Sequence, residues 1–229
     1  MLEELKEKVL QANLELPQRD LVILTWGNVS GIDRNSGYVV IKPSGVVYEE
    51  LTLESLPVVD LEGNVVEGTL RPSSDTETHL QLYKAFPDIG GIVHTHSSWG
   101  VRWAQAGRSI PTYGTTHADY FNDKIPCTRD MTEREINNNY EYNTGKVIVE
   151  SFENLNPLNI PGILVKEHGP FNWGEDPMDA VDNAMVMEEI ASSAYYTEQL
   201  SGEKGSINPY LLEKHFSRKH GENAYYGQY

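Results

Sequence analysis

The chain is poor in cysteine, in basic charge and in long apolar runs. Among its 229 residues there is one cysteine, Cys127. No intrachain disulfide can form and no cysteine-rich zinc site can be built, which fits a reducing compartment. Lysine and arginine number 18 against 34 acids, a formal net charge of −16. Such a field repels phosphate backbones and anionic bilayers, excluding broad nucleic-acid or membrane-surface binding while leaving room for a small phosphate pocket made of local donors. No apolar run approaches the roughly 20 residues of a membrane span. The charged stretch Met1–Lys8 lacks the basic and apolar regions of a signal peptide. There is no repeat, low-complexity tract or long linker. These absences point to one soluble, cytoplasmic domain over residues 1–229.

What is present alternates between helical and extended patterns. Leu2, Leu5, Val9 and Ala12 have helical spacing over residues 2–14. Leu21–Leu24 and Tyr38–Ile41 read as strands, and Pro57–Leu61 with Val65–Val66 as a hairpin around Glu62-Gly63-Asn64. Ser74 and Glu77 have the spacing of a capping box opening a helix that Pro87 stops. A strand Gly91–His96 and a helix Trp99–Ala106 follow, while Lys146–Phe152 fits helix or strand. Gly162–Val165 reads as a buried strand running to His168 and broken at Gly169-Pro170. Asp176-Pro177 starts a helix to about Leu200, Ser201–Asn208 is a polar loop, and Pro209 or Tyr210 opens a last helix toward His220. Alternating strands and helices favour layered α/β architecture.

His94-Thr95-His96 carries the most chemical information. On an extended segment residues i and i+2 share a face, so both imidazoles project into one space. Alone the pair is as well explained by two exposed strand histidines. His168, at a strand end where ligand sites gather, supplies a third nitrogen. Three histidines with an open position make a catalytic rather than a structural zinc arrangement. Asp75, at a helix start that favours its ionised form, is a fourth candidate ligand, with a solvated cap as the competing role. Ser73-Ser74 and Lys42-Pro43-Ser44-Gly45 are candidate phosphate binders, through hydroxyls, backbone N–H groups and one point charge. Gly27-Asn28 adds a polar turn with an amide. Asp119, in His117-Ala118-Asp119-Tyr120, is a candidate acid/base or a surface carboxylate. The tail Ala224-Tyr225-Tyr226-Gly227-Gln228-Tyr229 is too aromatic for an idle terminus.

Taken jointly, these motifs resemble the class II aldolase/epimerase family along nearly the whole chain. They include Thr25-Trp26-Gly27-Asn28-Val29-Ser30, Pro72-Ser73-Ser74-Asp75-Thr76, Gly91–Ser97, Gly114–Tyr120, His168-Gly169-Pro170-Phe171 and the Tyr-Tyr tail. Within the family the chain looks most like the L-ribulose-5-phosphate 4-epimerases. The resemblance implies an α/β/α sandwich with a central, largely antiparallel sheet flanked by helices. It implies a divalent metal, usually Zn²⁺ with Mn²⁺ or Co²⁺ as alternatives, held by His94, His96 and His168 with Asp75 joining. It implies a phosphate site from Ser44, Gly45, Ser73 and Ser74, aided by Gly27, Asn28 and Lys42. It also implies a C4 homotetramer with active sites between subunits, where Asp119 and Tyr226 act from the neighbouring chain; adjacent Tyr225 is chemically equivalent to Tyr226. Fuculose-phosphate-type aldolases carry Glu after Pro-Ser-Ser, whereas this chain has Asp75 there, one methylene shorter, as in the epimerases it resembles.

The activity so implied is interconversion of L-ribulose 5-phosphate and D-xylulose 5-phosphate, in arabinose or ascorbate breakdown. The C4 proton is not acidic, so cleavage and re-formation of C3–C4 is the expected route. An aldolase releasing its fragments is the first rival, and a non-enzymatic metal-binding or assembly protein the second.

Overall fold

The computed structural model describes residues 2–202, 205–220 and 224–227. Seven strands form one sheet in the order β4-β3-β2-β1-β5-β7-β6, every neighbouring pair antiparallel. They are β1 Asn28–Asp33, β2 Tyr38–Ile41, β3 Val58–Val59, β4 Val65–Glu67, β5 Gly91–His94, β6 Gly162–Val165 and β7 Gly169–Gly174. Among the described residues the helices are α1 Glu3–Gln18, α2 Thr76–Ala85, α3 Ser98–Gln105, α4 Thr115–Ala118, α5 Glu133–Asn137, α6 Tyr140–Ser151, α7 Pro177–Ser201 and α8 Pro209–Ser217. No helix there is long and apolar enough to cross a membrane.

Period-two alternation along the central strands sends side chains to two cores. Val29 and Val93 pack against Ala12 and Leu16 of α1 and Ala180, Val181 and Ala184 of α7. Ile92, Phe171 and Trp173 pack with Leu80 and Tyr83 of α2 and Ile148 of α6. This is the layered arrangement expected, with the central strands buried on both faces.

Several elements differ from the sequence reading. Leu21–Leu24 is not a strand: Leu24 sits in the left-handed region and is 76% exposed, and the strand starts at Asn28. The apolar run there forms a projecting turn: Leu21 and, in part, Val22 reach the core, while Ile23 and Leu24 point outward. Residues 146–151 belong to a helix that begins earlier, at Tyr140, and Phe152 caps its end. Gly169-Pro170 does not end the extended structure. Glu167, with φ 62°, turns the chain, and Gly169–Gly174 pairs with both β5 and β6. The expected capping box at α2 is absent. Asp75 is the cap residue, makes no capping bond and turns its carboxylate elsewhere. At α7 the reading holds: Asp176 accepts from the Met178 and Asp179 N–H groups and Pro177 opens the helix.

Candidate functional site

Strand register builds the site. In the sheet Asn28 of β1 lies opposite His94, the last residue of β5, and His94 lies opposite Phe171 of β7. Phe171 stacks on the His94 ring at 4.1 Å and 17°. The strand ends at His94, so His96 is placed by the following turn rather than by strand alternation. The two rings still converge, with Nε2 atoms 3.1 Å apart. His168, in the β6–β7 turn, completes the group: its ring centroid is 4.7 Å from that of His94 and 5.1 Å from that of His96. One nitrogen from each ring lies within 4.8 Å of the others.

The state of these rings suits a cation. His94 Nδ1 lies 2.9 Å from the Pro170 carbonyl oxygen, and since a carbonyl only accepts, that nitrogen carries the proton and Nε2 keeps its lone pair. Burial, reinforced by His94 and His96 nearby, pushes His168 down to about 3. Burial, with His94 beside it, also lowers His96. Neutral imidazoles are what a divalent metal requires. The Tyr140 hydroxyl lies 3.3 Å from His168 Nδ1 and leaves Nε2 to the site.

Asp75 lines the same pocket but is not one of the three mutually close ligands. Its carboxylate accepts from Asn28 Nδ2 at 2.7 Å and, more weakly, from the Ser73 hydroxyl at 3.5 Å. Burial disfavours its charge, but the His94 and His79 imidazoles and the Asn28 amide outweigh burial, so the carboxyl is held below its usual range. Beneath it His79, fully buried and pushed down to about 3 by burial, is linked through Ser30 Oγ at 2.7 Å to the Tyr83 hydroxyl.

The pocket holds about 420 Å³ and brings His94, His96, His168 and Asp75 together with Gly27, Asn28, Lys42, Ser44, Gly45, Ser73 and Ser74. The two polar turns are tied to each other: Ser44 N–H donates to the Arg71 carbonyl and Ser73 N–H to the Lys42 carbonyl. Those amides are therefore committed to the backbone, leaving hydroxyls and the amides of Gly45 and Ser74 for an anion. Gly45, at φ 73°, has nothing within 4 Å of where a Cβ would stand, so the turn presents open space. Lys42 is 2% exposed, and burial pushes it down to about 8. Its ammonium donates to the Val46 carbonyl at 2.6 Å and lies 4.9 Å from the Tyr48 ring centroid, so it braces the turn as well as lending charge.

Asp119 and Tyr226 do not line this pocket. They share two partners instead, Arg218 and Lys219, just past the end of α8. Arg218 donates to both Asp119 oxygens, at 3.0 and 2.7 Å, and its guanidinium carbon stands 4.9 Å from the Tyr226 ring centroid. Lys219 Nζ is 3.8 Å from Asp119 and 4.7 Å from the Tyr226 centroid, and His215 lies 3.0 Å from Asp119. Burial raises the Asp119 pKa, yet hydrogen bonds from Arg218 and His215 outweigh it and hold the group below the carboxylate range. That runs opposite to the tuning toward neutrality that acid/base work calls for. Tyr225 is placed differently, with its ring 5.1 Å from Lys214 Nζ. Gln228 and Tyr229 lie outside the described residues.

Sequence reasoning passed over Tyr140 and Glu141, which line the pocket, and the Lys214–His220 run. The latter carried a signal, a cluster of basic groups in an acidic chain. Nothing in the sequence pattern marked Tyr140.

The chain belongs to the class II aldolase and adducin N-terminal domain family, whose model matches residues 7–195. Solved structures share the fold. An L-fuculose 1-phosphate aldolase superposes with a TM-score of 0.78 at 24% identity, covering 93% of this chain and 94% of its own. YgbL of Klebsiella pneumoniae, named as a candidate aldolase/epimerase/decarboxylase, gives 0.72 at 23% identity, covering 93% and 99%. The L-fuculose 1-phosphate aldolase of Glaciozyma antarctica PI12 gives 0.77 at 18%, covering 97% and 84%.

Proposed function

We propose that this family member is a metal-dependent 4-epimerase, one domain over residues 1–229, that interconverts L-ribulose 5-phosphate and D-xylulose 5-phosphate. The observation that carries the reading is a single pocket lined by three convergent imidazoles, by two polar turns and by Asp75. A ligand with a chelating end and an anionic end fits that layout.

The donor set suits Zn²⁺, with Mn²⁺ or Co²⁺ as alternatives, because neutral imidazoles select weakly among these metals. His94, His96 and His168 would hold it, with Asp75 within reach of the same space. When bound it would serve as a Lewis acid at the C2 carbonyl and C3 hydroxyl oxygens. The chain's own residues supply the rest. Ser44, Gly45, Ser73 and Ser74 bind the phosphate, with Asn28 and Lys42 bracing the turns and Gly27 allowing close approach. One acid/base takes the C4 hydroxyl proton as the C3–C4 bond breaks, giving the enediolate of dihydroxyacetone and glycolaldehyde phosphate. The aldehyde turns its other face, C3 attacks it, and a second acid protonates the new alkoxide.

Asp119 and Tyr226 are the two acid/bases in this reading. They stand together but outside the pocket, so a neighbouring copy in a C4 homotetramer presents them. Engagement there would also change the Arg218 and His215 contacts that keep Asp119 ionised. Asp75, rather than the Glu of fuculose-phosphate-type aldolases, favours epimerisation over aldol release. Metal-dependent formation of D-xylulose 5-phosphate from L-ribulose 5-phosphate tests the proposal. Accumulation of the C2 and C3 fragments would instead support the aldolase reading.

A further inference from the structure

Retro-aldol epimerisation has a hazard that plain aldol cleavage lacks. After C3–C4 breaks, the electron pair stays on C3 as the enediolate and the C4 hydroxyl proton sits on the enzyme. If C3 re-attacks the aldehyde and the alkoxide recovers a proton, no atom is lost. If water protonates C3 first, dihydroxyacetone and glycolaldehyde phosphate leave as separate products. An epimerase therefore needs a wall beside C3 that admits rotation and offers no proton.

One residue on this pocket has those properties. Trp26 lines it, with its indole centroid 5.9 Å from the His96 ring. It is 50% exposed, yet its backbone is fixed. The Tyr48 hydroxyl, buried at 2% exposure, makes a bifurcated hydrogen bond to the Trp26 and Gly27 carbonyls at 2.8 and 2.9 Å. The Trp26 N–H donates to the Ile23 carbonyl at 3.1 Å. A large half-exposed indole with a pinned backbone is poorly explained by core packing.

Building on the epimerase reading, we infer that Trp26 is a specificity-determining residue: pinned by Tyr48, its indole walls the pocket beside His96 and keeps water from the cleaved intermediate, so the fragments recombine instead of leaving. Tyr48 acts through Trp26 and is a positioning residue.

The test incubates zinc-loaded wild type, Trp26→Ala, Trp26→Phe and Tyr48→Phe with L-ribulose 5-phosphate. D-xylulose 5-phosphate, free dihydroxyacetone and glycolaldehyde phosphate are measured in each, with zinc content and melting temperature alongside. Trp26→Ala is expected to keep its zinc, lose part of its epimerisation and raise the ratio of fragments to epimer by about tenfold or more, the discrimination one apolar wall can supply. Trp26→Phe restores most of the wild-type ratio, and Tyr48→Phe raises it by less than the alanine variant. A merely structural role would lower both product streams together and leave the ratio unchanged. An unchanged ratio in folded, zinc-bearing Trp26→Ala overturns the inference while leaving epimerisation in place. A wild type that forms no D-xylulose 5-phosphate removes the epimerase reading and this inference with it.

Discussion

His94 and Pro170 are joined by a 2.9 Å hydrogen bond from the imidazole Nδ1–H to the carbonyl oxygen, and this contact orients the central histidine of the site. It fixes the tautomer, so Nε2 faces His96 and His168 with its lone pair free. Because Pro170 lies in β7 and His94 ends β5, the pairing of two strands sets the aim of one candidate ligand. Replacing His96 with Asn removes a neighbouring donor without touching that bond. We expect zinc affinity to fall by more than the roughly 10–100-fold typical of outer-shell changes. Metal analysis after dialysis checks this, and a fully metallated, active variant would remove His96 from the ligand set.

Asp119→Asn is expected to lower turnover by about 10²–10⁴, the range of one acid/base, while metal content stays at the wild-type level. Steady-state kinetics beside zinc analysis decide the matter. Normal epimerisation in the variant would exclude Asp119 from the chemistry.

The tail offers two adjacent tyrosines in different surroundings. Tyr226 stands by Arg218 and Lys219, which also bind Asp119, whereas Tyr225 stands by Lys214. Tyr226→Phe should lose about 10²–10⁴ in turnover and Tyr225→Phe far less. The reverse ranking would assign the role to Tyr225.

The α4–α8 contact carries a pH signature. Hydrogen bonds from Arg218 and His215, working against burial, hold Asp119 below the roughly 3.9 of an unfolded aspartate. A depressed carboxylate adds stability above its unfolded value, and that contribution is lost as pH falls through the folded value. Between pH 5 and pH 2 the melting temperature of wild type should therefore fall more steeply than that of Asp119→Asn. Parallel curves would show that the contact contributes nothing to folding.

Gly27 joins fold to site. At φ 89° it occupies a region costly to other residues, and a Cβ there would stand 2.9 Å from the His94 carbonyl oxygen. Gly27→Ala is expected to cost about 1–2 kcal/mol through the backbone alone. The clash with His94 adds to it, so zinc affinity should drop along with thermal stability. An alanine variant with unaltered melting temperature and metal content would contradict this account of the turn.

Much of this was legible in the sequence, for identifiable reasons. Tyr38–Ile41 and the Asp176-Pro177 helix start carry strong local signals, and local structure follows them. The three histidines were readable because their side chains have few other uses at such spacing. The Asn28–Asp33 strand was obscured because its first residues serve the pocket: Gly27 and Asn28 look like a turn, while the more apolar Ile23-Leu24 stretch before them projects outward. Gly169-Pro170 looked like a stop, yet a proline next to a tight turn can begin a strand. Asp75 reads equally as a solvated helix cap, but its carboxylate turns to Asn28, a partner 47 residues away. Tyr140 could not be found from local pattern, since only the folded chain brings it to His168.

The measurement that tests the central claim most directly is a product assay on metal-loaded enzyme with L-ribulose 5-phosphate, run beside a chelated control. The account predicts D-xylulose 5-phosphate in the loaded sample and none in the control. Free dihydroxyacetone and glycolaldehyde phosphate as the main products, or no turnover with metal bound, would contradict it.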